Sequence, residues 1–203
     1  LSKVQVDTID TRSGTSTMQI GSTNTSTINI GVSGDTVNIP SGVTIANAGT
    51  ATGFGSNSPI FRAQMGGSDQ TVSDDTFTKL NFSNEIFDIG GQYDATTNYR
   101  FTPTSAGKYL IGASAFYYNT ATNIYRVTFQ LYKNGSAHSS LGSIGSSDNS
   151  LNIGYGMVGN STIVDANGTG DYFEIYGMLR FSSGTGQFNS GTASNFFGAK
   201  LMS

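Results

Sequence analysis

The chain has 203 residues, only 11% of them charged, with a net charge of −3 and a pI near 4.9; it carries no basic footprint, which argues against nucleic acid or an anionic membrane surface as the main partner. It has no cysteine, hence neither a disulfide framework nor a thiolate site, and no apolar run nears the roughly 20 residues a membrane-spanning helix needs. All ten tyrosines and twelve of the thirteen phenylalanines lie beyond Ser56, which divides the chain into a stalk over residues 1–55 and an aromatic-cored head over residues 56–203.

In the stalk, apolar residues come in alternating pairs: Val4/Val6, Met18/Ile20, Ile28/Ile30, Val37/Ile39 and Val43/Ile45. Each pair predicts a brief strand, and Ser33-Gly34-Asp35 and Pro40-Ser41-Gly42 predict turns between them. The spacing between pairs shortens along the chain, so the repeat is loose. So few large apolar side chains cannot offset the ordering of the segment in one chain, and the regular pairs favour a core shared between chains over disorder. Such Thr-, Gly- and Ile-rich repeats look like the intertwined shafts of trimeric viral and phage-type tail fibres. Thr50 to Ser58 is expected to be a neck. A first residue that is Leu rather than Met reads as a piece of something longer.

The head predicts strands throughout and no helix. Pro59 to Met65 opens it, and Gly66 to Asp75 reads as a polar loop. Phe77, Leu80 and Phe82 resume the core, and Ile86 to Ile89 leads into a turn at Gly90-Gly91. Tyr99 and Phe101 flank Arg100 in period-two alternation, and Thr102 to Gly107 must turn. A long strand then leaves from Tyr109 to Tyr118, rich in small and aromatic residues, and is expected at the centre of a packed sandwich. Tyr125 to Leu131 is the cleanest alternating strand, with odd positions facing inward. Asn134 to Ser150 reads as a Ser/Gly-rich loop, Ile153 to Val164 as a strand, Asp165 to Gly170 as a turn, and Asp171 to Met178 as a strand. Short strands at Gly186 to Phe188 and Asn195 to Leu201 complete an all-β jelly roll.

These residues resemble the globular head of the complement C1q family, itself akin to the tumour necrosis factor fold. The resemblance is carried by Asn84, Tyr93-Asp94, Phe101, Pro103, Gly107-Lys108-Tyr109, Leu131 to Gly135, Gly170-Asp171, Ser194 to Gly198 and Leu201, in order and at family spacing. It covers roughly Pro59 to the C-terminus. Asn98 stands where the family has glycine, and asparagine also tolerates positive φ. C1q-like heads are typically trimers, so the resemblance implies the same symmetry as the fibre-like stalk.

Catalytic patterns are missing. Gly154, Gly156 and Gly159 match the spacing of a dinucleotide site, but strand continues through Ile163-Val164 where a helix is needed. His138 is the single histidine and lies in the predicted loop. Asp74-Asp75, adjacent on an extended chain, would point apart. No nucleophile elbow or zinc pattern occurs. A non-enzyme is expected. Asp165, Asn167, Thr169 and Asp171 partly resemble a calcium loop but lack its final glutamate, Tyr176 standing there; Asp165, Asn167 and Asp171 are the only calcium candidates, and no other cofactor is implied. Some C1q-like heads hold calcium in the connection matching Asn119 to Asn123, where this chain has no carboxylate.

Strand parity, with the stalk joining at the base, puts the connections Asn119–Asn123, Asp165–Thr169 and Asn189–Ser194 together at a far tip. Their donors, acceptors and nearby rings suit neutral sugars. The candidate ligand-binding residues are Tyr117, Tyr118, Asn119, Asn123, Asp165, Asn167, Thr169, Asn189 and Thr192. The expectation is a homotrimeric, extracellular fibre-tip adhesin of a virion or bacterium, recognising a cell-surface glycan or protein. The alternatives are a trimerisation cap without a ligand and, disfavoured by few carboxylates, a glycan depolymerase.

Overall fold

The computed structural model describes residues 20–21, 23–46, 59–121, 123–146 and 152–201, and the chain divides into two units, Leu1–Ala51 and Thr52–Ser203. The pair Val4/Val6, Met18 and the neck from Thr50 to Ser58 lie outside the described residues.

The first unit has its turns where they were expected. Asp35 accepts from the Val32 N–H at 2.9 Å and returns its own N–H to the Val32 carbonyl at 3.0 Å, while Gly34 and Gly42 take the positive φ that the turns require. Among the described residues the expected strands do not form: no ladder involves those between Ile20 and Ala46. Ile28, Ile30, Val32, Val37, Ile39, Val43 and Ile45 are all exposed. A strand needs a neighbour to take its N–H and C=O groups, and the described pairs have none among the described residues.

The second unit is a sandwich of two antiparallel sheets. Its strands are β1 (Ile60–Met65), β2 (Gln70–Val72), β3 (Thr78–Lys79), β4 (Asn84–Ile89), β5 (Tyr93–Asp94), β6 (Arg100–Phe101), β7 (Ala106–Asn119), β8 (Ile124–Lys133), β9 (Ser136–Gly145), β10 (Tyr155–Asn167), β11 (Phe173–Phe181), β12 (Gly186–Phe188) and β13 (Gly191–Lys200). In the first sheet β10 pairs along the whole of β7. The other edge of β7 is shared end to end by β12 and β13. Beyond them lie β2 and β1, and then β4. The second sheet runs β5-β6-β11-β8-β9, with β3 also on β11. The fold is the expected all-β jelly-roll sandwich, and no helix occurs among the described residues.

The core is aromatic where the sheets meet. Phe61 stacks on Tyr93 and on Phe101, each at 4.6 Å, and meets Phe196 edge-on at 4.9 Å. Tyr93 donates its hydroxyl to the Phe82 carbonyl at 2.8 Å, so a buried phenol is satisfied, and burial pushes its pKa far up. Rings this large need room opposite them. Gly177 gives it to Phe188, whose ring lies 2.5 Å from where a β-carbon would stand.

Several expectations need correction. Asn134 to Ser150 is not a loop, because Asn134-Gly135 makes a tight hairpin turn, both residues at positive φ, and Ser136–Gly145 returns as β9 along β8. His138 therefore sits on an edge strand. The polar stretch from Gly66 to Asp75 contains β2. Positive φ falls on Tyr99 at 51° and not on Asn98. The strand expected from Ile153 begins at Tyr155 and runs on to Asn167, taking in Asp165 and Ala166, because Lys108 and Gly107 on β7 continue to pair with them.

Gly177→Ala places a methyl group against Phe188 in a filled core and is expected to cost about 1–3 kcal/mol. Urea unfolding at neutral pH measures it; an unchanged midpoint would mean that the ring has free space to move into.

Candidate functional site

The register of β7 and β10 decides which candidate residues can meet. Tyr118 pairs with Tyr155 at one end and Ala106 with Asn167 at the other, so the ends of this ladder stand roughly 40 Å apart. Asn119 and Asn123 are at the first end, Asp165, Asn167 and Thr169 at the second. The expectation of one shared tip is thus wrong: chain entry and exit lie at the Asn167 end, where Lys200 donates to the Pro59 carbonyl and Leu201 to that of Lys108. Asn189 and Thr192 lie nearer the first end, in the connection between Phe188, which pairs with Tyr117, and Asn195, which pairs with Ser114; the Asn189 N–H donates to the Phe116 carbonyl at 2.8 Å.

At the far end, the amides tie loops together. Buried Asn119 donates to the Ser183 carbonyl at 3.1 Å and accepts from the Ala121 N–H at 2.7 Å. Asn123 donates to the Ser183 carbonyl at 2.8 Å and accepts from its N–H at 3.1 Å. Both amides are committed to holding the β7–β8 connection against the β11–β12 connection. Tyr117 is buried in the core, and burial raises its pKa.

The opposite end is an ion-paired turn. Asp165 bonds Lys108 at 2.8 Å. Asn167 accepts from the N–H groups of Thr169 and Asp171 at 2.9 and 3.2 Å. Asp171 accepts from the Asn134 amide at 2.8 Å, the Asn167 N–H at 2.9 Å and Lys133 at 2.9 Å. The Asn134 hydrogen bond and then Lys133 hold its carboxyl down at about 2. Asn167 and Asp171 bond each other, but Asp165 and Asp171 turn to different lysines, so the three calcium candidates do not converge, and no group of three or more His, Cys, Asp or Glu exists among the described residues.

Two of the sequence candidates do meet, on a residue that the sequence reading missed. Asp69 accepts from the Asn189 amide at 3.0 Å, from the Ser190 N–H and hydroxyl at 2.8 and 3.0 Å, and from the Tyr118 hydroxyl at 3.1 Å. The Ser190 N–H is the largest cause of its lowered pKa, while burial and then Asp69 raise that of Tyr118. Asp69 lies in a short polar stretch with no signal of its own; only the β2–β12–β7 pairing brings it under Tyr118.

A second group surrounds the β5–β6 turn. Asp94 accepts from the N–H groups of Thr96, Thr97 and Asn98 and from the Asn98 amide, at 2.7–3.1 Å, and these bonds, that of Thr97 first, hold its carboxyl far below the usual range. Next to it is an open cavity of about 310 Å³ lined by Gln92, Asp94, Arg100 and Thr104, among others. Its polar groups are already engaged: Gln92 bonds Thr104 twice, at 2.8 and 3.0 Å, and Arg100 lies over the Tyr172 ring at 4.4 Å.

No family model matches the chain. A relative, "Uncharacterized protein YqcC" of Bacillus subtilis (strain 168), is 36% identical over 103 residues, 49% of this chain and 26% of that protein. The match therefore spans about a quarter of that relative's length. Two solved structures resemble the chain in fold. Murine APRIL at pH 5.0 has 10% identity and a TM-score of 0.48, covering 70% of this chain and 98% of the other. The Eiger TNF of S. frugiperda has 12% identity and a TM-score of 0.49, covering 70% and 93%.

Asp171→Asn should destabilise the head by about 1–3 kcal/mol at pH 7, because Lys133 loses its carboxylate. A depressed folded pKa adds stability above the unfolded value of about 3.9 and loses it as pH falls toward about 2. Urea midpoints across pH 2–5 should therefore fall more steeply for the parent than for the variant; parallel curves would remove Asp171 from the acid response.

Proposed function

We propose that the chain is a non-enzymatic, homotrimeric receptor-binding tip of an extracellular fibre, recognising a ligand on a cell surface. The observation that carries the trimer is an asymmetry between the two outer faces of the head. On the second sheet, outward side chains satisfy one another: Tyr132 stacks on Tyr176 at 3.8 Å, Lys79 pairs with Glu174 at 3.1 Å, and Arg180 lies over Tyr125 at 5.7 Å. On the first sheet, Phe87, Phe197, Met157, Ile163 and Tyr155 are left exposed, Tyr155 to 72%. Phe197 lies at the centre of that face, opposite Arg62 and Gly112 in the ladders of β1 and β7.

An apolar band of this breadth on a sheet face marks an association surface. Further copies of this chain are the partner we infer. The exposed Ile and Val pairs of residues 20–46 require the same remedy, apolar cover and strand neighbours from other chains, and the C1q-like sequence pattern implies three. Three copies on one axis would multiply weak sites into useful avidity. A surface rich in Asn, Ser, Thr and Gly with few charges suits a neutral glycan better than a charged ligand.

Light scattering on the purified chain should give three times 21.3 kDa. Phe197→Glu should return it to single-chain mass with the β-sheet signal of the head retained, since the side chain is only partly covered in one copy. A parent protein of single-chain mass at micromolar concentration would overturn the proposal.

A further inference from the structure

A second cleft of the head differs from the one beside the β5–β6 turn in that four of its polar side chains are unspent. The connection between β1 and β2 and the segment between β3 and β4 border a cleft of about 270 Å³ lined by Met65, Ser68, Asp69, Asn81, Ser83 and Tyr99. The side chains of Ser68, Asn81, Ser83 and Tyr99 make no hydrogen bond among the described residues. Asp69 does, and its bonds to Asn189, Ser190 and Tyr118 fix its position. Gln70 fixes the rest of the rim: its amide donates to the Lys79 carbonyl at 2.8 Å, and its carbonyl accepts from the Asn81 N–H at 2.9 Å.

The second observation is the backbone of Tyr99. Its φ of 51° is the left-handed region, which a bulky side chain rarely adopts and only at a cost in strain. The residues before it are pinned: five hydrogen bonds from Thr96, Thr97 and Asn98 to Asp94 hold the turn from which Tyr99 leads into β6. A glycine there would serve the turn without strain. What a tyrosine adds is a ring and a hydroxyl at the wall of the cleft.

We propose that this cleft binds a single neutral sugar unit, the terminal residue of a glycan, with Tyr99 as its aromatic platform and Ser68, Asn81 and Ser83 as hydrogen-bonding partners. The inference rests on the reading of the head as a ligand-binding tip and moves its site away from the loops at the ends of β7. Three features select the ligand. The lining holds no cation, and its one carboxylate disfavours an anion. The unspent groups are hydroxyls and an amide, which both donate and accept as sugar hydroxyls require. The volume falls just below the roughly 300–1,000 Å³ of pockets for drug-sized molecules, which suits one ring and not a chain of them.

The test is an array of bacterial and host glycans probed with the full chain, followed by saturation-transfer NMR with galactose, glucose, mannose and N-acetylglucosamine. A class-restricted array signal is expected, with at least one of these sugars receiving saturation. Tyr99→Gly should weaken binding at least tenfold while leaving the thermal midpoint unchanged or higher, because glycine relieves the positive φ. Asn81→Ala should weaken it similarly with no change in stability, since that amide holds nothing in the protein. Binding that survives both variants but fails in Asn123→Ala would overturn this site and leave the glycan-binding reading standing. A blank array from a folded trimer would overturn both.

Discussion

The head depends on one strand whose two edges are both used. β7 pairs with β10 from Ala106 to Tyr118 on one side, and on the other with β13 from Tyr109 to Ser114 and with β12 from Tyr117 to Asn119, so a shift of one partner would disturb the register of the rest. Its sequence makes this close approach workable. Gly112 sits where Phe197, Ser161 and the Asn160 carbonyl converge, the ring 2.5 Å from a would-be β-carbon, and Ala113 and Ala115 keep the inner face thin enough for the aromatic layer beneath. Glycines on the facing strand do the same from the other side: Gly156 lies against the Tyr117 hydroxyl and Gly159 against the β7 backbone. The spacing that imitates a dinucleotide fingerprint is thus a packing requirement between two long strands.

Four short polar side chains then do at the loops what charge pairs do in more highly charged proteins. Asp69, Asp94, Asn119 and Asp171 each accept at least one backbone N–H from a connection, and the three carboxylates add side-chain donors to it. A carboxylate that accepts several N–H bonds is well compensated for its partial loss of water, and such charge-assisted bonds are stronger than neutral ones. This lets a chain with only 11% charged residues hold long connections in fixed shapes, and only four ion pairs are needed among the described residues.

Fold class was legible because it rests on period and composition. Alternation from Tyr125 to Leu131, the apolar run after Tyr109 and the turn residues at Thr102 to Gly107 each have a local cause, and the C1q-like order of motifs joined them. β9 was not legible: Ser136 to Gly145 contains one buried large residue, Leu141, and is a strand because β8 supplies its hydrogen bonds across the Asn134-Gly135 turn. The candidate site failed for a related reason. Parity depends on the number of strands, and with β9 read as a loop the count was one short, so β10 starts beside Tyr118 and runs away from it, delivering Asp165 to Thr169 to the opposite end of the ladder. Asp69 could not be found from its neighbours at all, since its role is created by pairing with residues some 120 positions away.

Where strain and exposure coincide with unspent chemistry, a structural role does not account for the residues present. The outward rings of the second sheet are covered by one another or by a cation, so this chain can finish a surface when it stands alone in water. It leaves Phe197 and Tyr155 exposed on the first sheet, Tyr155 with one face on Phe116 at 6.0 Å, and keeps Tyr99 strained at a cleft whose hydroxyls have no hydrogen-bond partner among the described residues. On the proposed reading the first pair would be covered by apolar contact with further copies of the chain, a non-directional demand that hydrophobic burial meets. The cleft would meet a directional one, taking a molecule with a weakly polar face and many hydroxyl groups. A trimerisation cap without a ligand would need the one and leave the other unexplained.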